Sequence, residues 1–113
     1  ELKELLDRAS RLRKDISEIL GKFDTRKLFN EISSLEKDSS DENIWNDTLK
    51  AQSLFKNLKS KKDKYDLYDY LDYKSKELVE LCEISLDLND DSSLKNINNE
   101  LNILEERFKK ASL

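Results

Sequence analysis

The sequence predicts an all-α protein: an elongated three-helix bundle with coiled-coil-like packing, one short extra helix and one long central helix of about 40 residues. Three observations support this fold class. Apolar residues recur at spacings of three and four in separate stretches, as they do in packed helices. Charged residues make up 41% of the chain, which has one glycine and no proline to break its helices. No segment alternates apolar and polar residues as a half-buried strand does.

The first predicted helix covers residues 1–20. Its apolar residues form an a/d seam consisting of Leu2, Leu5, Ala9, Leu12, Ile16 and Ile19. Glu4 and Arg8 have the spacing of an i,i+4 ion pair outside this seam. Gly21 is the only glycine and follows the last turn, where a left-handed residue often ends a helix. We therefore expect Gly21 to adopt that conformation.

A second, shorter helix is predicted to end at about Lys37, with either Asp24 or Thr25 as its N-cap. Its apolar face consists of Leu28, Ile32 and Leu35. Residues 38–46, with the sequence DSSDENIWN, are predicted to form a loop because they are polar and have no helical period.

The long helix begins after an N-cap at Asn46 or Asp47 and is predicted to run to about Leu88. Its a/d seam is Ala51, Leu54, Leu58, Lys61, Tyr65, Tyr68, Asp72, Ser75, Val79, Cys82 and Leu86. Lysine, aspartate and serine interrupt that seam. A second apolar row in the later half consists of Leu67, Leu71, Leu78, Leu81 and Leu88. Two rows indicate that this helix meets more than one neighbour.

The last helix follows a turn at residues 89–93, with Asp91 or Ser92 as its N-cap. Its seam is the most regular in the chain: Leu94, Ile97, Leu101, Leu104, Phe108 and Ala111. Helices joined by so short a connection are usually antiparallel neighbours. We therefore expect the last helix to lie along the later half of the long one.

The composition argues against an enzyme. The chain has no histidine, so Ser–His and Cys–His catalytic arrangements are excluded, and one glycine cannot form a Gly-rich phosphate loop. The acidic stretch 87–98 lacks the glycine and the final glutamate of a calcium-binding loop. We expect no catalytic residue, no metal site and no cofactor. The net charge of −4 also argues against a general nucleic-acid-binding domain.

Cys82 is the single cysteine, so it has no internal disulfide partner, and its seam position predicts a buried thiol. This suits a reducing compartment, and we expect a cytoplasmic protein. No apolar run is long enough to cross a membrane, and we expect no membrane partner.

The densest basic patch lies within residues 56–64 and consists of Lys56, Lys59, Lys61, Lys62 and Lys64. Two interpretations remain open. The patch is either a solvated helix face or a surface that contacts nucleic-acid phosphates, for which only positive charge and reach are needed.

The stretch around the only tryptophan resembles the N-terminal domain of bacterial peptide chain release factor 2, in the class I release factor family. The shared residues are Ile44, Trp45, Asn46, Asp47, Ala51 and Gln52. Upstream, FDTRKLFNEISSLEKD looks like the family's short helix, and ELNILEERF near the end resembles its closing segment. The family often has proline three residues before and after the tryptophan. This chain has Glu42 and Thr48 there, so the long helix lacks a proline that would help it begin.

The resemblance implies that residues 1–113 are a single ribosome-docking domain of a translation termination factor. A full-length factor of this kind reads UGA and UAA stop codons and triggers peptidyl-tRNA hydrolysis through a Gly-Gly-Gln motif. One glycine and no proline exclude that motif, and the codon-reading Ser-Pro-Phe tripeptide, from this chain. The start without methionine and the end within a helical pattern fit a domain of a longer protein.

The partners implied by the resemblance are the stalk base of the large ribosomal subunit, both its rRNA and its ribosomal protein. The excised domain is expected to be a monomer. The alternative is a generic coiled-coil interaction or scaffold domain, since heptad seams also suit pairing between chains.

Trp45 precedes the long helix, where a hydrophobic staple would lie. We expect it to fold back onto the bundle and fix the junction, with direct ribosome contact as the alternative. If it is buried, Trp45→Ala should cost ~3–5 kcal/mol of stability.

Overall fold

The computed structural model describes residues 1–112, and all of its regular structure is helical. The elements are α1 (Leu2–Leu20), α2 (Thr25–Ser39), a 3₁₀ helix (Ile44–Asn46), α3 (Thr48–Asp87) and α4 (Leu94–Ala111). No strand occurs within residues 1–112. The predicted helical bundle is confirmed, as is the long helix, which has 40 residues.

The first of two compact units contains Glu1–Lys22 and residues 69–112. It is a three-helix bundle of α1, the later half of α3, and α4. Its core consists of Leu2, Leu5, Ala9, Leu12, Ile16, Leu71, Leu78, Cys82, Ile97, Leu101 and Leu104. Each buried leucine or isoleucine contributes about 1.5–3 kcal/mol relative to exposure. Cys82 is buried as predicted, and burial raises the pKa of its thiol.

Arg13 of α1 fills the place where polar residues interrupt the α3 seam. Its Nη1 donates to Asp72 Oδ1 at 2.7 Å and to Ser75 Oγ at 3.1 Å. Ser75 is 1% exposed, and its hydroxyl donates to the Asp72 carbonyl at 3.0 Å, so its hydrogen-bonding groups are satisfied. Burial alone would raise the pKa of Asp72, but hydrogen bonds from Arg13 and Lys76 hold it below its usual value.

Arg8 links α1 to α4. Its guanidinium donates to Asn98 Oδ1 at 3.1 Å, Asn102 Oδ1 at 2.9 Å and Glu105 Oε1 at 2.6 Å. Arg8 thus pairs with Glu105 rather than with the predicted Glu4. The fork of a guanidinium matches several acceptors at once, which a single carboxylate in the same helix cannot offer.

Lys74 joins α3 to α4 in the same unit. Its Nζ donates to Glu77 Oε1 at 2.8 Å and to Glu100 Oε1 at 3.1 Å. The hydrogen bond to Glu77 is the largest influence on Lys74, and together with Glu100 it raises the pKa of Lys74 despite partial burial. Polar contacts therefore tie each pair of neighbouring helices in this bundle.

The second compact unit covers Phe23–Tyr68 and contains α2, the 3₁₀ helix and the first half of α3. Its core is smaller, with Ile32, Ala51, Leu58 and Tyr68 buried. Two aromatic pairs join α2 and its preceding turn to α3: the ring centroids are 4.7 Å apart in Phe23–Tyr68 and 6.1 Å apart in Phe29–Tyr65. Lys61, the third polar residue in the seam, pairs with Glu31 of α2.

Side-chain hydrogen bonds decide between the two N-cap candidates of α2 and of α3. Asp24 is the N-cap of α2, and its Oδ1 accepts from the Lys27 N–H at 2.9 Å. Asp47 caps α3 in the same way, accepting from the Lys50 N–H at 3.1 Å. Aspartate carboxylates stabilise helix N-termini because they satisfy free N–H groups and carry favourable charge.

The start of α4 differs from the prediction. Ser93 is the N-cap, so the prediction of Asp91 or Ser92 is wrong. The Ser92 N–H instead donates to Asp90 Oδ1 at 3.0 Å, which holds this residue in the turn before the helix. The Ser93 side chain makes no capping hydrogen bond.

The left-handed helix end lies at Asn89 and not at Gly21. Asn89 has a φ of 50°, whereas Gly21 has a φ of −64°, so the prediction for Gly21 is wrong. At the end of α3, the Asp90 N–H donates to the Ser85 carbonyl at 2.9 Å and the Asn89 N–H to the Leu86 carbonyl at 3.1 Å. This is the Schellman pattern, which requires a left-handed residue, and asparagine tolerates that region better than most residues.

Exchanging residues at the two helix ends should have opposite effects. Asn89→Ala should lower the free energy of unfolding by about 1 kcal/mol, because alanine is strained at positive φ, whereas Asn89→Gly should be neutral or stabilising. Gly21→Ala is the control and should change stability by less than about 0.5 kcal/mol. Urea unfolding followed by circular dichroism measures both. Destabilisation by Gly21→Ala together with a neutral Asn89→Ala would contradict this assignment.

A double-mutant cycle tests the contact that fills the α3 seam. Arg13→Ala, Asp72→Ala and the double variant should give a coupling of about 1 kcal/mol in urea unfolding at neutral pH. The exposed pair Lys59–Asp63, at 2.8 Å within α3, is the matched control and should give a clearly smaller coupling, because solvent screens it.

The Arg13–Asp72 coupling should also depend on pH. The folded-state pKa of Asp72 is lowered, so its contribution is complete above the ordinary aspartate pKa and is lost as pH falls through the folded-state value. A coupling that stays constant under acidic conditions would show that the ionised carboxylate is not the partner of Arg13.

Candidate functional site

The residues that carry the family resemblance lie together at the start of α3. Ile44, Trp45 and Asn46 form the 3₁₀ helix, and Asp47 is the N-cap that follows it. The Asp47 carbonyl accepts from the Ala51 N–H at 2.9 Å, and Ala51 is fully buried in the first turns of α3. Gln52 is next to it and exposed. Most of this motif therefore forms the turn and the N-cap at which the long helix begins.

The segment before the motif is more ordered than a loop. Helix α2 continues to Ser39, and the predicted loop at 38–46 ends in the 3₁₀ helix, so the loop prediction is wrong at both of its ends. Asp41 holds the connection, because its Oδ1 accepts from the Asn43 N–H at 2.9 Å and its carbonyl accepts from the Ile44 N–H at 3.1 Å. Aspartate favours such turns through its short side chain.

Trp45 packs against α3 but is not buried. Its ring stacks on that of Phe55, with centroids 5.6 Å apart and planes 18° apart, yet its residue surface is 58% exposed. The expectation of a buried tryptophan is therefore wrong, although the ring does fold back onto the long helix. Side chains of a 3₁₀ helix point in three different directions, and here Ile44 is the half-buried member.

Phe55 was not predicted as a partner of this site. It lies outside the a/d seam of α3, so the seam pattern assigns it to the surface. The residue is 37% exposed, and its ring stacks against the indole of Trp45. The available signal was the presence of a second large aromatic residue shortly after the only tryptophan.

A groove of about 420 Å³ lies at the same junction between α2 and α3. Its apolar lining comes from Ile44 and Leu54, and its polar lining includes three carboxylates. The lining residues are Asp38, Asp41, Asn43, Ile44, Asn46, Asp47, Lys50 and Leu54. Ile44 and Asn46 flank Trp45 in the chain and Leu54 precedes Phe55, so the groove and the aromatic pair are formed by adjoining residues.

Two lysines of the basic patch at 56–64 pair with carboxylates of α2. Lys61 bonds to Glu31, and the Lys62 Nζ lies 2.9 Å from Glu36 Oε2. The hydrogen bond from Lys61 is the largest influence on Glu31 and lowers its pKa. The positive charge of this part of the patch is therefore partly neutralised within the unit.

Two further lysines of the patch also have partners. Lys59 lies 2.8 Å from Asp63, and hydrogen bonding to this carboxylate raises the pKa of Lys59. The Lys64 Nζ lies over the rings of Phe23 and Tyr68, at 5.1 and 5.8 Å from their centroids. Exposed pairs of this kind are worth at most about 1 kcal/mol, so a strong competing ligand can displace them.

Neither a metal cluster nor a membrane-crossing helix occurs in the part of the chain that the structure describes, residues 1–112. No group of three His, Cys, Asp or Glu side chains there is arranged to hold a metal ion. No helix in that range is long and apolar enough to cross a membrane.

Comparisons of the chain with models of known protein families, with curated proteins and with solved structures find no match. Membership of the release factor family therefore stays a proposal, carried by the residues around Trp45 and by the closing segment of the chain.

The contact between Trp45 and Phe55 can be measured through stability. Because Trp45 is more than half exposed, Trp45→Ala should cost about 1–2 kcal/mol, below the range for a buried aromatic. A cycle with Phe55→Ala should give a coupling of about 0.5–1.5 kcal/mol, the usual contribution of an aromatic pair. Urea unfolding followed by circular dichroism is suitable, since the variant has no tryptophan. A cost above about 3 kcal/mol would mean that the ring is buried.

Proposed function

We propose that this chain is the ribosome-docking domain of a bacterial translation termination factor of the release factor 2 type. The observation that carries the proposal is the motif around Trp45, whose shared residues occupy one structural junction rather than scattered positions. A short helix, a tryptophan-containing turn and a very long helix follow one another in the order that the resemblance implies.

The composition supports docking rather than chemistry. The chain has no histidine to act as a base and too few glycines for the peptide-release motif of the family. Its side chains with lowered or raised pKa values owe these shifts to helix-to-helix pairs, local hydrogen bonds or burial, as in Asp72, Glu31 and Cys82. Such pairs stabilise folds as well as functional sites, so they do not point to a catalytic centre.

The proposed role belongs to a larger cytoplasmic protein. In that protein other domains recognise UGA and UAA codons and trigger hydrolysis of the peptidyl-tRNA ester. This domain binds the stalk base of the large subunit, which consists of rRNA and ribosomal protein, and thereby positions its host. Its own contribution is binding free energy, without any step of the reaction.

Ribosome binding tests the proposal directly. The labelled chain should cosediment with bacterial large subunits, and a full-length release factor 2 should compete with it. Deleting residues 1–113 from the protein that carries them should weaken ribosome association while the preference for UGA and UAA stays unchanged. A deletion that changes codon preference, or a chain that does not bind large subunits, would contradict the proposal.

The same titration separates rRNA contact from other contacts. If the basic patch meets phosphates, replacing Lys59, Lys61 and Lys62 with glutamate should weaken binding and reduce its salt dependence. Glu31→Gln and Glu36→Gln form the matched control, because they free Lys61 and Lys62 from their partners and should strengthen binding. Unchanged affinity in both sets would assign the patch to solvation and internal pairing.

The alternative function is a coiled-coil interaction or scaffold domain. It is favoured by exposed apolar residues on the first unit. Ile84 of α3 is 54% exposed, Leu88, which follows α3, is 69% exposed, and Ile103 of α4 is 52% exposed. Such residues can pair with a second chain. Sedimentation equilibrium over a wide concentration range discriminates, since a strict monomer disfavours self-association.

A further inference from the structure

The aromatic pair Trp45–Phe55, together with the groove lined by its neighbours in the chain, is called the Trp45 surface. One side of the indole faces Phe55, and 58% of the tryptophan remains open to solvent. Tryptophan is among the residues that most often anchor protein interfaces. The groove adds apolar lining from Ile44 and Leu54, and its volume suits one or two side chains.

The groove of the Trp45 surface carries more negative than positive charge. Residues 38–47 contain Asp38, Asp41, Glu42 and Asp47 and no lysine or arginine. Three of these carboxylates line the groove, where the only cation is Lys50. A ligand with phosphate groups is repelled by such a surface, whereas a cationic ligand is attracted.

The other aromatic rings show what the Trp45 surface lacks. Lys64 lies over Phe23 and Tyr68, and Arg107 lies over Tyr70 at 4.5 Å from its centroid. Within residues 1–112, no cation of the chain lies over Trp45, although tryptophan is the best cation–π acceptor. The indole therefore offers a site that the chain's own cations do not occupy.

We propose that the Trp45 surface binds an arginine-bearing segment of a partner protein. A planar guanidinium stacks on the open face of the indole and donates paired hydrogen bonds to a carboxylate of the groove. The aliphatic stem of the arginine, or a neighbouring apolar side chain, lies against Ile44 and Leu54. Lysine fits less well, because its ammonium has no plane to stack and donates from a single point.

This inference goes beyond ribosome docking and stands without it. It assigns this surface to a basic protein segment and not to a nucleic acid. Its test uses peptides alone, so a failure here leaves ribosome binding intact, and a failure of ribosome binding leaves the peptide site intact.

The experiment uses the full chain and the peptide acetyl-Arg-Leu-Arg-Leu-Arg-amide. Trp45 is the only tryptophan, so its fluorescence and its indole N–H signal in NMR report on this site alone. We expect the arginine peptide to change the Trp45 signals in a saturable way. The same peptide with lysine in place of arginine should bind more weakly, and the peptide with glutamate in place of arginine should not bind. No saturable change up to millimolar arginine peptide, or equal binding of the glutamate peptide, would overturn the proposal.

A single-stranded RNA oligonucleotide forms the next arm of the experiment. It should leave the Trp45 signals unchanged, because the carboxylates repel its phosphates. Saturable RNA binding at Trp45 would overturn the assignment to a protein partner.

Two sets of variants locate the site. Asp38→Asn, Asp41→Asn and Asp47→Asn together remove three charges, while asparagine keeps the turn and helix-cap hydrogen bonds. This variant should bind the arginine peptide about tenfold more weakly at low salt. The matched control removes three exposed charges of the first unit, with Glu4→Gln, Asp7→Asn and Asp15→Asn, and should change the affinity less than about twofold.

An aromatic pair of variants completes the test. Trp45→Leu, checked for folding by circular dichroism and followed by calorimetry, should abolish the preference for arginine over lysine. Phe29→Leu is the control, since Phe29 is also exposed, at 54%, but lies beside Tyr65 instead. Equal loss in the two triple-charge variants, or an unchanged arginine preference in Trp45→Leu, would overturn the proposal.

Discussion

The structure depends on how the long helix α3 satisfies the polar residues in its own seam. The Arg13 guanidinium of α1 donates hydrogen bonds to Asp72 and Ser75. Lys61 forms an ion pair with the Glu31 carboxylate of α2. A buried polar group without a partner, such as the Ser75 hydroxyl, would cost about 1–3 kcal/mol. These contacts therefore stabilise the polar positions of the seam. Apolar seams alone allow neighbouring helices to slide by a heptad, whereas a paired polar residue favours one register.

Heptad periodicity was enough to predict the helices, because the same residues that set the period also form the core. The predicted seam residues of α1 and α4 are all buried or half-buried. The errors concern features that depend on local geometry. Asn89, and not Gly21, is left-handed, because the end of α3 needs a carbonyl-satisfying turn there, whereas the chain leaves α1 in a right-handed turn. Periodicity carries no information on such turns.

The candidate site was predictable in position but not in exposure. The sequence motif placed Trp45 at the junction before α3, and the structure has it there, stacked on Phe55. Its exposure follows from the 3₁₀ helix, in which neighbouring side chains point in different directions and Ile44 is the half-buried one. The basic patch was visible in the sequence, but its pairing with α2 was not, because Glu31 and Glu36 are distant in the chain. An acidic, aromatic surface and a self-paired lysine face together favour a protein partner for the tryptophan junction.

Residue-resolved hydrogen exchange along α3 in the unmodified chain tests the central claim most directly. If polar seam residues are anchored by neighbouring helices, amide protection should continue through Lys61, Asp72 and Ser75 at levels similar to those of Leu58 and Leu78. Fast exchange confined to the polar positions, between slowly exchanging apolar ones, would show that they are breaks in the helix and would contradict this account.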